Sequence, residues 1–397
     1  MATATESIQP PRSEVGLIGW LRANLFSSIS NAILTVVAAG FSIFVISSLI
    51  DWTFNRAEWG VVANNLRLFM LGIYPLDQTW RAWTTILLGA FFIGLGWGVW
   101  GRALRSVSVG VAATALLINV FPVEVSTRVY AFAAIALIVL GFGLARGRAF
   151  VKRPVALLWF LFPIVAVLLL RGLDEDHPTL PLVKYDVWGG LLLTFMLAMI
   201  GIVVSFPLGV LLALGRRSSL PVVKAFSVAY IELIRGVPLV TILFMAQVVL
   251  PLFLGGETSI ERTIRALAGI ILFSAAYQAE NVRGGLQSIP IGQIEAAKAL
   301  GMNTFLTTGL IVLPQALRAV IPTTVGQFIS LFKDTSLVAI VGLTDLLGAA
   351  RGTLAKPEYL GLTSEVYLFC AIIYWSFNYA MSYASKRLEA ALGVGKR

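Results

Sequence analysis

Four charged side chains stand within or beside long apolar runs: Glu232 and Arg235 in one, Lys333 and Asp334 in another. A charge at the middle of a bilayer costs about 2.5–3.5 kcal/mol on insertion scales, so such residues are functional candidates by default. Two roles fit them. They line a translocation path for a polar solute, or each pair lies at the interface and holds helix ends. The sequence leaves both open. Catalysis has less to stand on. The chain has one histidine, His177, in the acidic stretch Asp174-Glu-Asp-His177, and one cysteine, Cys370, in an apolar run. A metal site there would lack a second histidine, so a solvated acidic loop is the better reading. Cys370 has no neighbouring base in sequence, and a single cysteine excludes an intramolecular disulfide. Gly393-Val-Gly395-Lys396 is too short for a phosphate-binding Gly-x-x-x-x-Gly-Lys-Ser/Thr loop. No catalytic, metal or cofactor-binding residue is assigned.

The elements that must position these residues are membrane helices. Of 397 residues, 58% are hydrophobic and 13% charged, against about 25% charged in a soluble domain. The apolar runs are long and unalternated, which implies helices and not a barrel. The formal charge of +10 raises nucleic acid as a partner. The basic residues, however, stand at the ends of apolar runs and form no stripe, so no nucleic-acid role is expected. Residues 1–22 are mostly polar, carry Pro10 and Pro11, and read as a retained cytoplasmic tail without a cleaved signal.

Five charge-free runs follow: Ala23–Ile50, Ala82–Gly101, Val107–Val123, Val129–Ala145 and Pro154–Leu170. Each holds about the 17 residues or more that cross some 30 Å of hydrocarbon. Gly94 and Gly98 in the second form a small-xxx-small pair that lets helices approach. Arg12 and Arg22, then Arg102 and Arg105, then Arg146, Arg148, Lys152 and Arg153 mark the cytoplasmic side, and Asp174–His177 the outside. In the second half, Val187–Gly215, Ala225–Leu254 (interrupted by Glu232-Leu-Ile-Arg235-Gly-Val-Pro238), Ile264–Ala279, Pro314–Leu331 (bent at Pro322) and Val366–Ala384 read as five more spans. Residues 333–350 read as a re-entrant or periplasmic helix. The expectation is an all-α polytopic membrane protein with about ten transmembrane helices and both termini cytoplasmic.

Between two of these spans lies Glu295-Ala-Ala-Lys-Ala-Leu-Gly301, followed by Ile311-Val-Leu-Pro314. Ser288 and Pro290 read as a helix start. Residues 291–300 form a short helix, Gly301 its C-cap, and Asn303 the cap of a second helix that carries Ile311 and Pro314. The alanines let another protein's surface come close.

This stretch resembles the cytoplasmic coupling loop of ABC importer permeases, whose pattern is Glu-Ala-Ala, three residues, Gly, nine residues, Ile, one residue, Leu-Pro. Glu295, Ala296, Ala297, Gly301, Ile311, Leu313 and Pro314 all match. Ala276-Tyr-Gln-Ala-Glu280-Asn-Val-Arg283-Gly-Gly285, Glu232-Leu-Ile-Arg235-Gly236-Val-Pro238 and Lys333-Asp-Thr-Ser-Leu337 are similar to the polar amino acid permeases of histidine, glutamine, glutamate and arginine importers. Val237 and Gly326 depart from that pattern, where Thr and Asn are common. The resemblance covers about Gly189 to Arg387. The several spans before it look like the extension of a general L-amino acid transporter permease subunit.

The resemblance implies the following organisation. Residues 1–22 are a tail and 23–187 an extension of about five spans. Residues 188–388 form a type I importer (MetI-like) permease core with a coupling loop at 280–314, and 389–397 are a second tail. It implies a permease that is not itself an enzyme, in a bacterial inner membrane, moving L-amino acids by alternating access. Its partners would be an ABC ATPase subunit, which binds ATP and Mg, a second permease subunit in a heterodimer, a periplasmic amino acid-binding protein and membrane lipid. The rival readings are a secondary amino acid transporter, which usually shows inverted repeats, an ABC permease for another small solute, and a membrane-embedded enzyme.

Overall fold

The computed structural model describes residues 16–119, 124–253 and 260–392. Residues 1–15 of the first tail, with Pro10, Pro11 and Arg12, lie outside them. So do the end of the third expected span, Leu254, and Gly393–Lys396. The described residues are helical, with three isolated β-bridges and no strand. The chain divides into two units, Met1–Gly60 and Val61–Arg397.

The first unit holds α1 (Gly16–Asn24) and α2 (Ile29–Asp51). Ser28 is extended, and its Oγ accepts the Asn31 N–H at 3.2 Å, which starts α2. No residue of α2 is buried. A helix apolar on every side suits lipid on every side.

The second unit opens with α3 (Gly60–Asn64) and α4 (Leu66–Leu71), then α5 (Thr79–Trp100), α6 (Arg102–Ile118), α7 (Val125–Ala145) and α8 (Lys152–Arg171). Glycine sets the packing of α5 on α7. A Cβ on Gly94 would lie 2.2 Å from the Ile138 carbonyl, and one on Gly141 2.5 Å from that of Phe91. The expected Gly94/Gly98 pair is thus a backbone-to-backbone contact.

The remaining elements are α9 (Gly190–Arg216), α10 (Pro221–Arg235), α11 (Leu239–Phe244), α12 (Leu250–Phe253), α13 (Arg262–Gln287), α14 (Ile291–Ala299), α15 (Thr304–Leu306), α16 (Leu313–Ala319), α17 (Ile321–Asp334), α18 (Leu346–Leu354) and α19 (Thr363–Leu392). The long α9 and α13 lie against each other. A Cβ on Gly209 of α9 would meet the Gln278 Cβ of α13 at 2.5 Å. Where α9 begins, Gly190 has φ +58, and its missing Cβ would stand 2.3 Å from the Phe69 carbonyl. Beside it Asp345 is fully buried, accepts the Gly348 N–H at 2.9 Å and the Tyr374 hydroxyl at 3.2 Å, and so caps α18 while tying it to α19.

Among the described residues six helices are long and apolar enough to cross a membrane, and seven if one bent pair is a single span. The three other expected spans appear as α6, α13 and α19, of 17, 26 and 30 residues. Two expectations change. The run over Ala225–Leu254 is two legs, Pro221–Arg235 and Leu239–Phe253, bent by 106°. Pro238 has no N–H to continue a helix and disfavours the helical region at Val237. The span expected at Pro314–Leu331 is displaced to Ile321–Val341, because the chain breaks at Val320, where α16 ends and α17 starts with Pro322 in its first turn. Residues 335–341 then form a tight 3₁₀ run, ended by Gly342 at φ +84.

Candidate functional site

The Glu295–Pro314 stretch folds as a helical arm. The α14 helix ends with two bonds: Gly301 N–H reaches Lys298 O at 2.9 Å, and Met302 N–H reaches Ala297 O at 3.1 Å. This pairing turns the chain through a left-handed residue, and Gly301 supplies it at φ +78. Asn303 then accepts the Leu306 N–H at 2.8 Å through its side chain and starts α15. Between α15 and α16, residues Thr307–Val312 form a π segment, a wide turn common at functional positions. Ser288 does not start the arm. Its N–H and Oγ bond Gly285 O, so it ends α13, and Pro290 is the residue from which α14 starts. The proline at 290 favours an extended Ile289 and so separates the two helices.

The arm has an inner and an outer side. Ala297 is 4% exposed, and Val312 and Ala316 are buried with Leu286 and Ala213 in a common apolar cluster. Ile311 and Leu313 are half-buried, whereas Glu295, Ala296 and Pro314 are exposed. Ala297 therefore packs the arm together, and Ala296 alone of the two alanines faces outward. Ile291, Leu300 and Phe305 also face out, Leu300 and Phe305 more than 80% exposed (83% and 84%).

Glu232 and Arg235 do not pair with each other. Glu232 takes Arg216 at 3.0 Å, and Arg235 lies 3.7 Å from Glu280. Arg216 also reaches Glu280, at 3.5 Å, and Arg283 clasps Glu280 from the next turn of α13. Arg283 further donates to Gln287 at 2.8 Å, and Arg235 sits 5.5 Å over the Tyr277 ring. Successive turns of a helix place residues three or four apart on one face, which is why α13 presents Tyr277, Glu280, Arg283 and Gln287 together. Three guanidinium groups and two carboxylates thus join the ends of α9, α10 and α13. Arg217 extends the join, donating to Leu286 O at 3.1 Å, just before the arm. Of the members, Arg216 is not singled out from the sequence, and Glu280 and Arg283 are read there only as part of the permease-like motif and not as site residues. The signal for them was Arg216 at the end of an apolar run and the Glu280-x-x-Arg283 spacing.

Lys333 and Asp334 stand at the end of α17, Lys333 exposed and Asp334 half-buried, with no ion pair between them. They lie apart from the cluster, at the end of α17 remote from the arm. His177 accepts the Leu180 N–H at 3.0 Å through Nδ1 and so braces its loop. Cys370 is buried. The arrangement as a whole offers grips and pivots, not reacting groups.

A family model described as binding-protein-dependent transport system inner membrane component matches residues 205–394, which takes in the whole arm and the whole ion-pair cluster. Over 95% of this chain and 93% of the relative, the sequence is 38% identical to YhdY, an inner membrane amino-acid ABC transporter permease protein of Escherichia coli strain K12. It is 36% identical to BztC of Rhodobacter capsulatus, a glutamate/glutamine/aspartate/asparagine transport system permease protein, over 98% and 97% of the two chains. A probable glutamine ABC transporter permease protein, GlnP of Bacillus subtilis, is 37% identical and matches 51% of this chain with 92% of its own.

Proposed function

Because this chain belongs to the amino-acid ABC transporter permeases, we propose that it carries polar L-amino acids of broad range inward across the bacterial inner membrane, by alternating access. As a permease it is a membrane-spanning subunit of an importer and does not itself turn over substrate. The observation that carries the reading is the arm: a rigid hairpin, closed by Gly301 at φ +78, with Leu300 and Phe305 presented outward.

In this reading Glu295, Ala296, Gly301 and Pro314 form the outer side of a coupling element. Ala297, Ile311 and Leu313 anchor it to the core. An ATPase subunit receives Leu300 and Phe305 in a cleft, and holds ATP and Mg itself. ATP-driven closure of two ATPases then moves the arm as a rigid body. The arm is continuous with α13 through Ser288 and with α17 through α16. The ion-pair cluster binds the ends of α9, α10 and α13 into one piece, so displacement of the arm is passed to three helices at once. Glu232 and Arg235 serve that join. Lys333 and Asp334 remain the candidates for contact with the solute.

Residues 23–187 act as the extension, 188–388 as the permease core with its coupling loop at 280–314, and both tails (1–22 and 389–397) lie in the cytoplasm. A second permease subunit completes a heterodimer, and a periplasmic binding protein supplies the amino acid. The test is uptake by the reconstituted assembly with competing amino acids. Uptake should need ATP and a copurifying ATPase, and glutamate, glutamine and other polar amino acids should compete. Uptake that runs without ATP would make the chain a secondary transporter instead.

A further inference from the structure

A groove of about 280 Å³ opens between α5, α6 and α7, lined almost wholly by apolar side chains, among them Trp97, Val109, Ala112, Leu116, Ile135 and Val139. Two of its walls follow one spacing. On α6 the stripe is Arg105, Val109, Ala112, Leu116; on α7 it is Ile135, Val139, Phe142, followed at the C-cap by Arg146. Steps of four, three and four residues keep a side chain on one helix face. Each stripe therefore ends in an arginine, and both arginines stand at the same end of the groove, because α6 and α7 run in opposite directions. Arg105 is three residues from Ser108 of the lining, about 4.5 Å along the helix. Arg146 lies 5.4 Å over the Phe142 ring, and that ring lies 4.3 Å from Trp97. The apolar wall thus runs without a break into a guanidinium.

Both arginines are exposed, and among the described residues neither pairs with a carboxylate. On α5 to α8 no Asp or Glu stands nearby, since none occurs between Asp77 and Glu124 or between Glu124 and Asp174; on the adjoining α19, Glu389 takes the Ser385 hydroxyl at 2.8 Å. Arg148, Lys152 and Arg153 add charge of the same sign at that end. An apolar slot at membrane depth that opens under unpaired arginines at the headgroup level fits one kind of occupant. Basic pockets between membrane helices take anionic headgroups, and the slot takes the tail.

We propose that this groove binds an anionic glycerophospholipid of the surrounding bilayer, of the phosphatidylglycerol type. One acyl chain lies between α6 and α7, and the phosphate sits between Arg105 and Arg146. The lipid would also reach the core. Ser106, next to Arg105, bonds the Tyr383 hydroxyl at 3.2 Å, and Arg387 donates to the same hydroxyl at 2.7 Å. The site therefore stands where the extension meets α19, and its occupant steadies that joint. The inference rests on the membrane reading of the chain, and not on what the chain transports.

The full-length chain, purified in mild detergent with the subunits that accompany it, is equilibrated with phosphatidylglycerol or with phosphatidylcholine of the same acyl chains. Bound lipid is counted by native mass spectrometry. Phosphatidylglycerol should be retained over phosphatidylcholine. Arg105→Gln or Arg146→Gln should each weaken its retention about five-fold, and the two together about thirty-fold. Arg128→Gln, the same charge change at the opposite end of α7, should leave retention unaltered. Ala112→Phe should lower it by filling the slot with both arginines in place, and Arg105→Lys with Arg146→Lys should keep it. Equal retention of the two lipids, an equal loss in Arg128→Gln, or no effect of Ala112→Phe would each overturn the proposal. Lipid counting needs no transport, so a failed uptake assay and a failed lipid site are separate results.

Discussion

At one end of α9, Arg216 reaches Glu232 and Glu280 in a cluster that water still touches; at the other, Gly190 lies so close to Phe69 that no Cβ fits between them. The 27 residues of α9 set these ends about 40 Å apart. The cluster end joins helices through long, partly exposed side chains, and beyond it the arm presents Gly301 with nothing within 4 Å of a Cβ. The opposite end joins them through backbone. There Gly72, Gly189 and Gly190 interlock, and Asp345 is buried in bonds to two helices. Side-chain joints can shift their partners with small cost, whereas close-packed backbone cannot. One end is suited to being pushed and the other to staying still.

Glycine substitutions at the two ends should break this contrast most sharply. Gly301→Val should abolish uptake at normal expression, because φ +78 disfavours a Cβ by about 1–2 kcal/mol and the branched side chain projects into open space on the face that the proposed coupling would turn to an ATPase. Full uptake by this variant would mean that the arm does not couple. Gly190→Val should act on the fold instead. The same φ strain is joined by a clash with the Phe69 carbonyl, worth about 1–3 kcal/mol more, so its thermal midpoint in detergent should fall well below that of Gly301→Val. A midpoint equal to the parent's would remove the claim that this end is rigidly packed.

Glu280→Gln ranks next. It leaves Arg216, Arg235 and Arg283 without their shared acceptor. Loss of charged hydrogen bonds worth about 1.5–3 kcal/mol should lower uptake on the order of ten-fold, with folding retained. If uptake is unchanged while the arm still binds its ATPase, the cluster does not transmit movement.

At the packed end, burial pushes the Asp345 carboxyl up from 3.8 to about 6, against the lowering effect of the Gly348 N–H. The folded chain then keeps a proton that the unfolded chain has released. Stability should therefore fall as pH rises from about 4 to about 6 and level off above. Asp345→Asn keeps a capping side chain and should flatten that slope in detergent melts; a slope that persists must come from another group. Glu295→Ala should do least. Its carboxylate is exposed, and such a contact contributes about 0–1 kcal/mol, so uptake should drop no more than about five-fold.

Local signals were legible where one residue decides its own conformation. Gly301 and Asn303 announce a left-handed turn and a cap, and both do that work. The Gly94 pair announces close helices and delivers them. Ser288 misled because two helices compete for it, and the position of Pro290, not the hydroxyl, settles which one wins. Glu232 and Arg235 misled because three residues apart on a helix suggests a pair, while α9 and α13 offer Arg216 and Glu280, about 16 and 45 positions away in the chain. Partners that distant are brought together only by packing. Lys333 and Asp334 were legible as charges at a helix end, and nothing local states what faces them. The displaced span at Ile321–Val341 was hidden because hydropathy does not register a break at Val320.

The 106° bend at Gly236-Val-Pro238 bears on how the chain is sided. Each leg has 15 residues, about 22 Å of helix, and so falls short of the roughly 30 Å of hydrocarbon. At that angle the two legs together reach about 27 Å end to end, so the pair is either one broken crossing or a re-entrant loop that returns to its own side. Crossings are counted by parity. Every loop after Phe253, the arm included, emerges on the side that this count dictates. Gly236-Val-Pro238 thus governs which compartment the arm inhabits, and a change there that alters the number of crossings would invert the rest of the chain rather than deform one helix.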